Sequence, residues 1–262
     1  MADNRSSSPL AEPSKVAAVT FGFWVIKVLA TTLGETGGDW VTMSLNLGYL
    51  IGSAIFAAIF VALVWAQVKS PRFHPALFWA TIVATTTLGT TMADFADRSL
   101  GIGYPGGVAI VASLLAASLL IWRWSEGTVS VADINTPKAE WFYWCTILFS
   151  QTLGTALGDW LAGTDRGGLG LGYEYGALVF GLGLAVVAAL YFWTTVSHTV
   201  LFWAAFILTR PLGATLGDLL DKPVSGGGLN FSRWVASLVL LGTIGACIAF
   251  IPQRAAKKGD AV

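Results

Sequence analysis

The sequence predicts an all-α membrane protein: eight transmembrane helices, arranged as four parallel two-helix repeats around an axis along the membrane normal. Three observations predict it. The 262 residues are 55% apolar and only 11% charged, with a mean hydropathy of +0.69, whereas a soluble domain carries about 25% charged residues. One octapeptide pattern is written four times along the chain, and internal repetition of this period signals a repeated supersecondary unit. Apolar runs near the ~20 residues needed to cross hydrocarbon fall in pairs, one pair to each octapeptide.

The four copies are Thr32-Leu-Gly-Glu-Thr-Gly-Gly-Asp39, Thr87-Leu-Gly-Thr-Thr-Met-Ala-Asp94, Thr152-Leu-Gly-Thr-Ala-Leu-Gly-Asp159 and Pro211-Leu-Gly-Ala-Thr-Leu-Gly-Asp218. Each has a Trp 15 residues before its Asp: Trp24, Trp79, Trp144 and Trp203. Thr32, Glu35, Thr36 and Asp39 fall at i, i+3, i+4 and i+7, one face of a helix. Thr87, Thr90, Thr91 and Asp94 repeat this face, and Thr152, Thr155 and Asp159 keep most of it. Pro211, Ala214, Thr215 and Asp218 keep the least. Beside it, Gly34/Gly38, Gly89/Ala93, Gly154/Gly158 and Gly213/Gly217 form small-xxx-small pairs, which let helix backbones touch within lipid.

Taken in order, the spans are 18–39, 47–67, 75–95, 105–123, 140–161, 172–193, 198–219 and 231–251. They divide a single transmembrane domain, 18–251, into repeats 18–68, 73–123, 138–193 and 198–251, flanked by tails 1–17 and 252–262. The first helix of each pair carries the Trp and the Asp; the second is plain Leu, Ala, Val, Ile, Phe and Gly. Gly-rich turns such as Leu100–Gly107, Arg166–Tyr173 and Ser225–Gly228 join most pairs. The N-terminal tail is polar and lacks an apolar core, so it reads as a disordered tail rather than a signal peptide. Arg5, Lys15, Lys69, Arg72, Arg123, Lys138, Arg254, Lys257 and Lys258 gather on one side, against Arg98, Arg166, Lys222 and Arg233 on the other. The positive-inside rule then puts both termini in the cytoplasm and the Asp ends outward. Two-span units return to their starting side, which makes the repeats parallel and sets the four Asp residues at one depth, ~22 Å from their Trp residues.

Carboxylates inside a membrane mark a binding site or pathway by default. The metal ligands expected are Glu35, Asp39, Asp94, Asp159 and Asp218. The substrate and proton pathway expected comprises Lys27, Thr32, Thr36, Thr87, Thr91, Thr155, Arg210 and Thr215. The donors are all oxygen, since His74 and His198 lie at the far ends, and hard oxygen donors suit Mg²⁺, Ca²⁺ or Mn²⁺ over copper or zinc. Lys27 and Arg210 read as counter-ions that tune occupancy. The bland expectations are also definite. The Trp residues are interfacial anchors; Asp97 and Asp221 face loops; Glu174, Asp165–Arg166 and Asp221–Lys222 are solvated charges; Cys145 and Cys247 are buried small hydrophobes.

Zero formal net charge argues against a nucleic-acid partner. No nucleophile–base pair, phosphate loop or metal-hydrolase motif is present, so no enzyme and no cofactor are expected. The partners expected are the lipid bilayer, a metal cation and protons, with homo-oligomerisation open.

The four tandem units, each with two spans, a Trp and a Leu-Gly…Gly-Asp signature, resemble a bacterial four-repeat integral membrane protein family of unknown function. That resemblance covers about 18 to 251 and implies the two-span repeat and a bacterial inner-membrane location. Glu35-Thr-Gly-Gly-Asp39 is also loosely similar to the Glu-x-Gly-Asp signature of small calcium and manganese cation/proton exchangers. It has one extra Gly, Trp40-Val41 in place of Lys-Thr, and no Glu in the other copies. The expected function is therefore a proton-coupled secondary transporter of a divalent, manganese-like cation. The alternatives are an organic-anion transporter using Lys27 and Arg210, or a membrane regulatory subunit.

Overall fold

The computed structural model describes residues 14–257, in which eight α-helices dominate and no strand is present beyond one isolated bridge. They are α1 (Phe21–Asp39), α2 (Gly48–Lys69), α3 (Pro75–Asp94), α4 (Tyr104–Glu126), α5 (Pro137–Ala162), α6 (Gly172–Trp193), α7 (His198–Asp221) and α8 (Arg233–Phe250). Local chemistry sets their starts. Thr20 and Thr136 accept hydrogen bonds from Phe23 N and Ala139 N, as N-caps do. Pro75 and Pro137 stand in the first turns, where the missing N–H costs nothing. The octapeptides are unbroken helix through their glycines. After Asp39 and Asp94 the helix widens into a π-helical turn, Trp40–Ser44 and Phe95–Ser99.

Six helices, α2, α3, α4, α6, α7 and α8, are long and apolar enough to cross a membrane, which suggests a multi-pass membrane protein. By the same measure α1 and α5 fall short, and both carry internal charge: Lys27, Glu35 and Asp39, and Lys138, Glu140 and Asp159.

The four Asp-bearing helices form the interior. α1 packs on α3, α3 on α5, α5 on α7, and α7 back on α1. The first glycine of each octapeptide makes each of these contacts. A Cβ on Gly34 would collide with Thr86 of α3; on Gly89 it would lie 2.9 Å from the Gln151 backbone of α5. On Gly154 it would run into Arg210 of α7, and on Gly213 it would lie 2.8 Å from the Thr31 backbone of α1. The small residue is thus required at the same place four times, because backbone meets side chain or backbone there. The plain helices pack outside, each chiefly on the Asp-bearing helix of the following repeat: α2 on α3, α4 on α5, α6 on α7 and α8 on α1. Only 17% of the most apolar stretch of α2 is buried, against 72% for α3.

Several expectations change. Residues 14–17 are hydrogen-bonded rather than loose. Ser14 N and Ala18 N donate to Ala256 O (3.2 Å) and Arg254 O (2.9 Å), and Ala256 N donates to Val16 O (2.9 Å). The rest of the expected tail, 1–13, lies outside the described residues, as do 258–262. Trp79, Trp144 and Trp203 are buried, not interfacial. They stack with Phe23, Phe78, Trp122 and Phe202, for example Phe23–Trp79 at 5.3 Å and Trp122–Trp203 at 5.9 Å between ring centroids, because the ends of all four Asp-bearing helices meet there. Cys145 is exposed and Cys247 only half-buried; both apolar runs that hold them turn part of their surface outward.

Candidate functional site

The interior face repeats every four residues. On α1 it reads Phe23, Lys27, Thr31, Glu35, Asp39, and on α3 Phe78, Ile82, Thr86, Thr90, Asp94. On α5 it reads Tyr143, Ile147, Gln151, Thr155, Asp159, and on α7 Phe202, Phe206, Arg210, Ala214, Asp218. Every one of these is at most 5% exposed. Corresponding positions form layers: aromatic at one end, then Ile82, Ile147 and Phe206 with Lys27, then two largely polar layers, then four aspartates at the other end. The expected stripe shares Glu35, Thr90, Thr155 and the four aspartates with this face, but its other threonines turn elsewhere. Thr32, Thr87 and Thr91 donate to the carbonyls of Val28 (3.0 Å), Val83 (2.9 Å) and Leu88 (3.1 Å). Thr215 turns back to Pro211 O at 2.9 Å. Thr36 Oγ1 lies 3.0 Å from Ser237 Oγ of α8. Of the expected pathway hydroxyls, Thr155 reaches a charge.

That charge is Arg210. Fully buried, its Nη2 lies 3.0 Å from Glu35 Oε2 and 2.5 Å from both Thr90 Oγ1 and Thr155 Oγ1. One guanidinium therefore ties all four Asp-bearing helices together. Its stem lies against Gly154, where any side chain would displace it. Lys27 is equally buried, but among the described residues no carboxylate lies within ion-pair distance of it. Its Nζ meets Gln151 Oε1 at 3.5 Å and sits 4.1 Å above the Phe206 ring.

The four aspartates do not form a uniform ring. Arg98 joins Asp94 (Nε–Oδ1, 2.7 Å) to Asp159 (Nη2–Oδ2, 3.3 Å). Lys222 joins Asp218 (3.0 Å) to Asp39. Arg98 and Lys222 each stand four residues after their own Asp, on its side of the helix, and reach across to the aspartate of the next repeat in the cycle. The corresponding positions of the first and third repeats are Met43 and Gly163. Arg98 gains a further contact from the Tyr49 hydroxyl, which accepts from Nη1 at 3.4 Å. Arg233 pairs with Asp221 at 3.1 Å and stands 4.0 Å from Asp39.

Asp97, Asp221 and Lys222 are therefore buried, not loop-facing or solvated, because one more helical turn follows Asp94 and Asp218 before the chain leaves. Asp165–Arg166 is an exposed pair, as expected. The signal for the cations was available as Asp94-Phe-Ala-Asp97-Arg98 and Asp218-Leu-Leu-Asp221-Lys222, a second pattern confined to alternate repeats.

Among the described residues, Glu35, Asp39 and Asp218 bring one carboxylate oxygen each within 4.8 Å of one another, all three buried. Asp39 Oδ1 has no hydrogen-bond partner. Asp94 and Asp159 stand apart from this trio, held by Arg98. A cavity of about 430 Å³ abuts the layer from the connector end, lined by Arg98, Tyr104, Asp159, Arg166, Tyr173 and Lys222 among others. A second cavity, about 420 Å³ and mostly apolar, lies at the Trp end between α1, α6 and α7.

Comparison with known proteins places the chain. The family described as Repeat of Unknown Function (DUF347) matches at residues 22–73, 77–128, 142–197 and 201–252, and the chain belongs to it. Neither a curated protein nor a solved structure matches the chain.

Proposed function

We propose that this four-repeat protein is a bacterial inner-membrane transporter that exchanges a hard divalent cation, manganese-like, for protons. In this reading the repeats are parallel hairpins around an axis along the membrane normal. Both termini are cytoplasmic, and the aspartate layer lies toward the outer face. The clustered oxygens of Glu35, Asp39 and Asp218 carry the proposal. Oxygen-only donors suit a hard cation, and a buried cluster of this kind needs positive charge to persist.

Lys222 has a specific place in the mechanism. Its ammonium lies between Asp39 and Asp218, where an arriving cation would sit, so it acts as a tethered competitor. A metal ion that reaches the layer through the 430 Å³ cavity displaces Lys222 toward that cavity, which its side chain already lines. Lys222, Arg210 and Arg233 bring three positive charges to the four carboxylates of Glu35, Asp39, Asp218 and Asp221. The remaining negative charge is what a proton or a metal ion neutralises, and that makes the two exchangeable. Glu35, beside Arg210 and deepest of the clustered three, is the proton-carrying acid. The organic-anion alternative has less support, because neither cavity reaches Lys27 or Arg210.

The test is proton flux in proteoliposomes driven by a Mn²⁺ gradient. The proposal expects flux in the unaltered protein and its loss in Asp39→Asn and Asp218→Asn. It is overturned if no Mn²⁺-dependent flux occurs, or if both variants transport normally.

A further inference from the structure

A second short pattern recurs at the start of each plain helix: Leu47-Gly-Tyr49, Ile102-Gly-Tyr104, Leu171-Gly-Tyr173 and Leu229-Asn-Phe231. Its central residue is left-handed in every copy, at φ +74°, +75°, +77° and +56° for Gly48, Gly103, Gly172 and Asn230. The same turn thus sets the following aromatic at the same place four times. Each plain helix packs on the Asp-bearing helix of the following repeat. That pairs the aromatic with the residue four places after the next aspartate: Tyr49 with Arg98, Tyr104 with Gly163 and Tyr173 with Lys222. Phe231 corresponds to Met43.

Two of these pairs are close. Arg98 holds three partners through three nitrogens: Asp94 by Nε, Asp159 by Nη2 and the Tyr49 hydroxyl by Nη1. A Cβ on Gly163 would lie 2.9 Å from Tyr104 Cε2. With no cation opposite it, the Tyr104 hydroxyl donates to Asp165 Oδ1 at 3.2 Å instead. Tyr173 has the place but not the bond. Lys222 has one nitrogen, and Asp39 and Asp218 take it. Among the described residues no hydrogen bond engages the Tyr173 hydroxyl. Tyr173 lines the cavity of about 430 Å³ beside Lys222, and Asp218 and Lys222 are the charges that act on it most strongly. We propose, on the basis of the cation site proposed above, that the Tyr173 hydroxyl receives Lys222 when a metal ion takes the ammonium's place. An ammonium turned out of a carboxylate pair needs a new acceptor. The two carboxylates of the cavity wall are committed, Asp159 to Arg98 and Asp165 to Arg166. What Arg98 does at once with a rigid fork, Lys222 does in turn on a flexible stem. Tyr173 is therefore a positioning residue for the exchange.

The test is titration calorimetry with Mn²⁺ on the purified full-length protein in detergent. Tyr173→Phe keeps the ring and should weaken Mn²⁺ about tenfold. Its melting in metal-free buffer should be unchanged, because the hydroxyl is unbonded there. In a Lys222→Gln background the same change should have no effect, since no ammonium needs a place. Tyr49→Phe, the equivalent change beside Arg98, should leave Mn²⁺ affinity as it is, and it gives the comparison should Lys222→Gln fold poorly. Equal Mn²⁺ affinity in Tyr173→Phe and the unaltered protein overturns the role of Tyr173 and leaves the cation site standing. So does a tenfold loss that persists in the Lys222→Gln background, or an equal loss in Tyr49→Phe. Absence of Mn²⁺ binding in the unaltered protein overturns both the role and the site.

Discussion

Arg98 joins Asp94 to Asp159, and Lys222 joins Asp39 to Asp218, from equivalent places in the second and fourth repeats. The two half-layers differ in three respects. Arg98 contacts its aspartates through two different nitrogens and leans on Tyr49, its guanidinium carbon 5.9 Å from the ring centre, whereas Lys222 offers a single ammonium to both partners. Glu35 crowds the Lys222 half alone. A guanidinium keeps its charge and geometry, while an ammonium on a flexible stem is easily replaced by another compact cation. On the proposed reading the Arg98 half is a fixed strut and the Lys222 half an exchangeable site, although one octapeptide pattern underlies both.

The largest effect expected is on stability. Arg98→Met strands two buried aspartates and should cost about 3–5 kcal/mol, read as a fall in melting temperature of about 10 °C. Lys222→Met should cost less than half as much in buffer containing Mn²⁺, because the metal takes the ammonium's place. Equal losses in the two variants, with and without metal, would break the comparison. Next comes binding. Asp39→Asn and Asp218→Asn should weaken Mn²⁺ about 100-fold by titration calorimetry, about 2.7 kcal/mol, while Asp94→Asn changes it little. Lys222→Gln removes the competitor and should tighten Mn²⁺ about tenfold; weaker binding would show that Lys222 helps to form the site. The smallest effect sharpens the contrast: Arg98→Lys should lose about 1 kcal/mol of stability as one of two hydrogen bonds goes.

The helices were legible in the sequence to within a few residues, because α2, α4, α6 and α8 are nearly uniform apolar runs. The repeat and its aspartates were legible too. The identity of the interior threonines was not. A threonine in a membrane helix satisfies its hydroxyl on a carbonyl of its own preceding turn, as Thr32, Thr87 and Thr91 do, so polarity alone cannot tell Thr31 from Thr32. Packing decides, and the decision rests on which side of Gly34 faces the next helix. Asp97, Asp221 and Lys222 were misjudged for a related reason. They follow the last apolar residue of their spans, where sequence patterning signals an exit, whereas the helix or its π-helical extension carries on for one more turn.

The pairing of Ala17 with Ala255 brings the two ends of the described chain side by side, next to the connectors 70–74 and 127–136, which Lys15 and Ser14 touch. The order in which the repeats are translated is thus not fixed by the architecture. A short linker from residue 257 to residue 14, with new ends cut at 71–73, gives a circular permutant whose first repeat is the present second one. Its assembly would show that the second hairpin can lead the chain as well as the first.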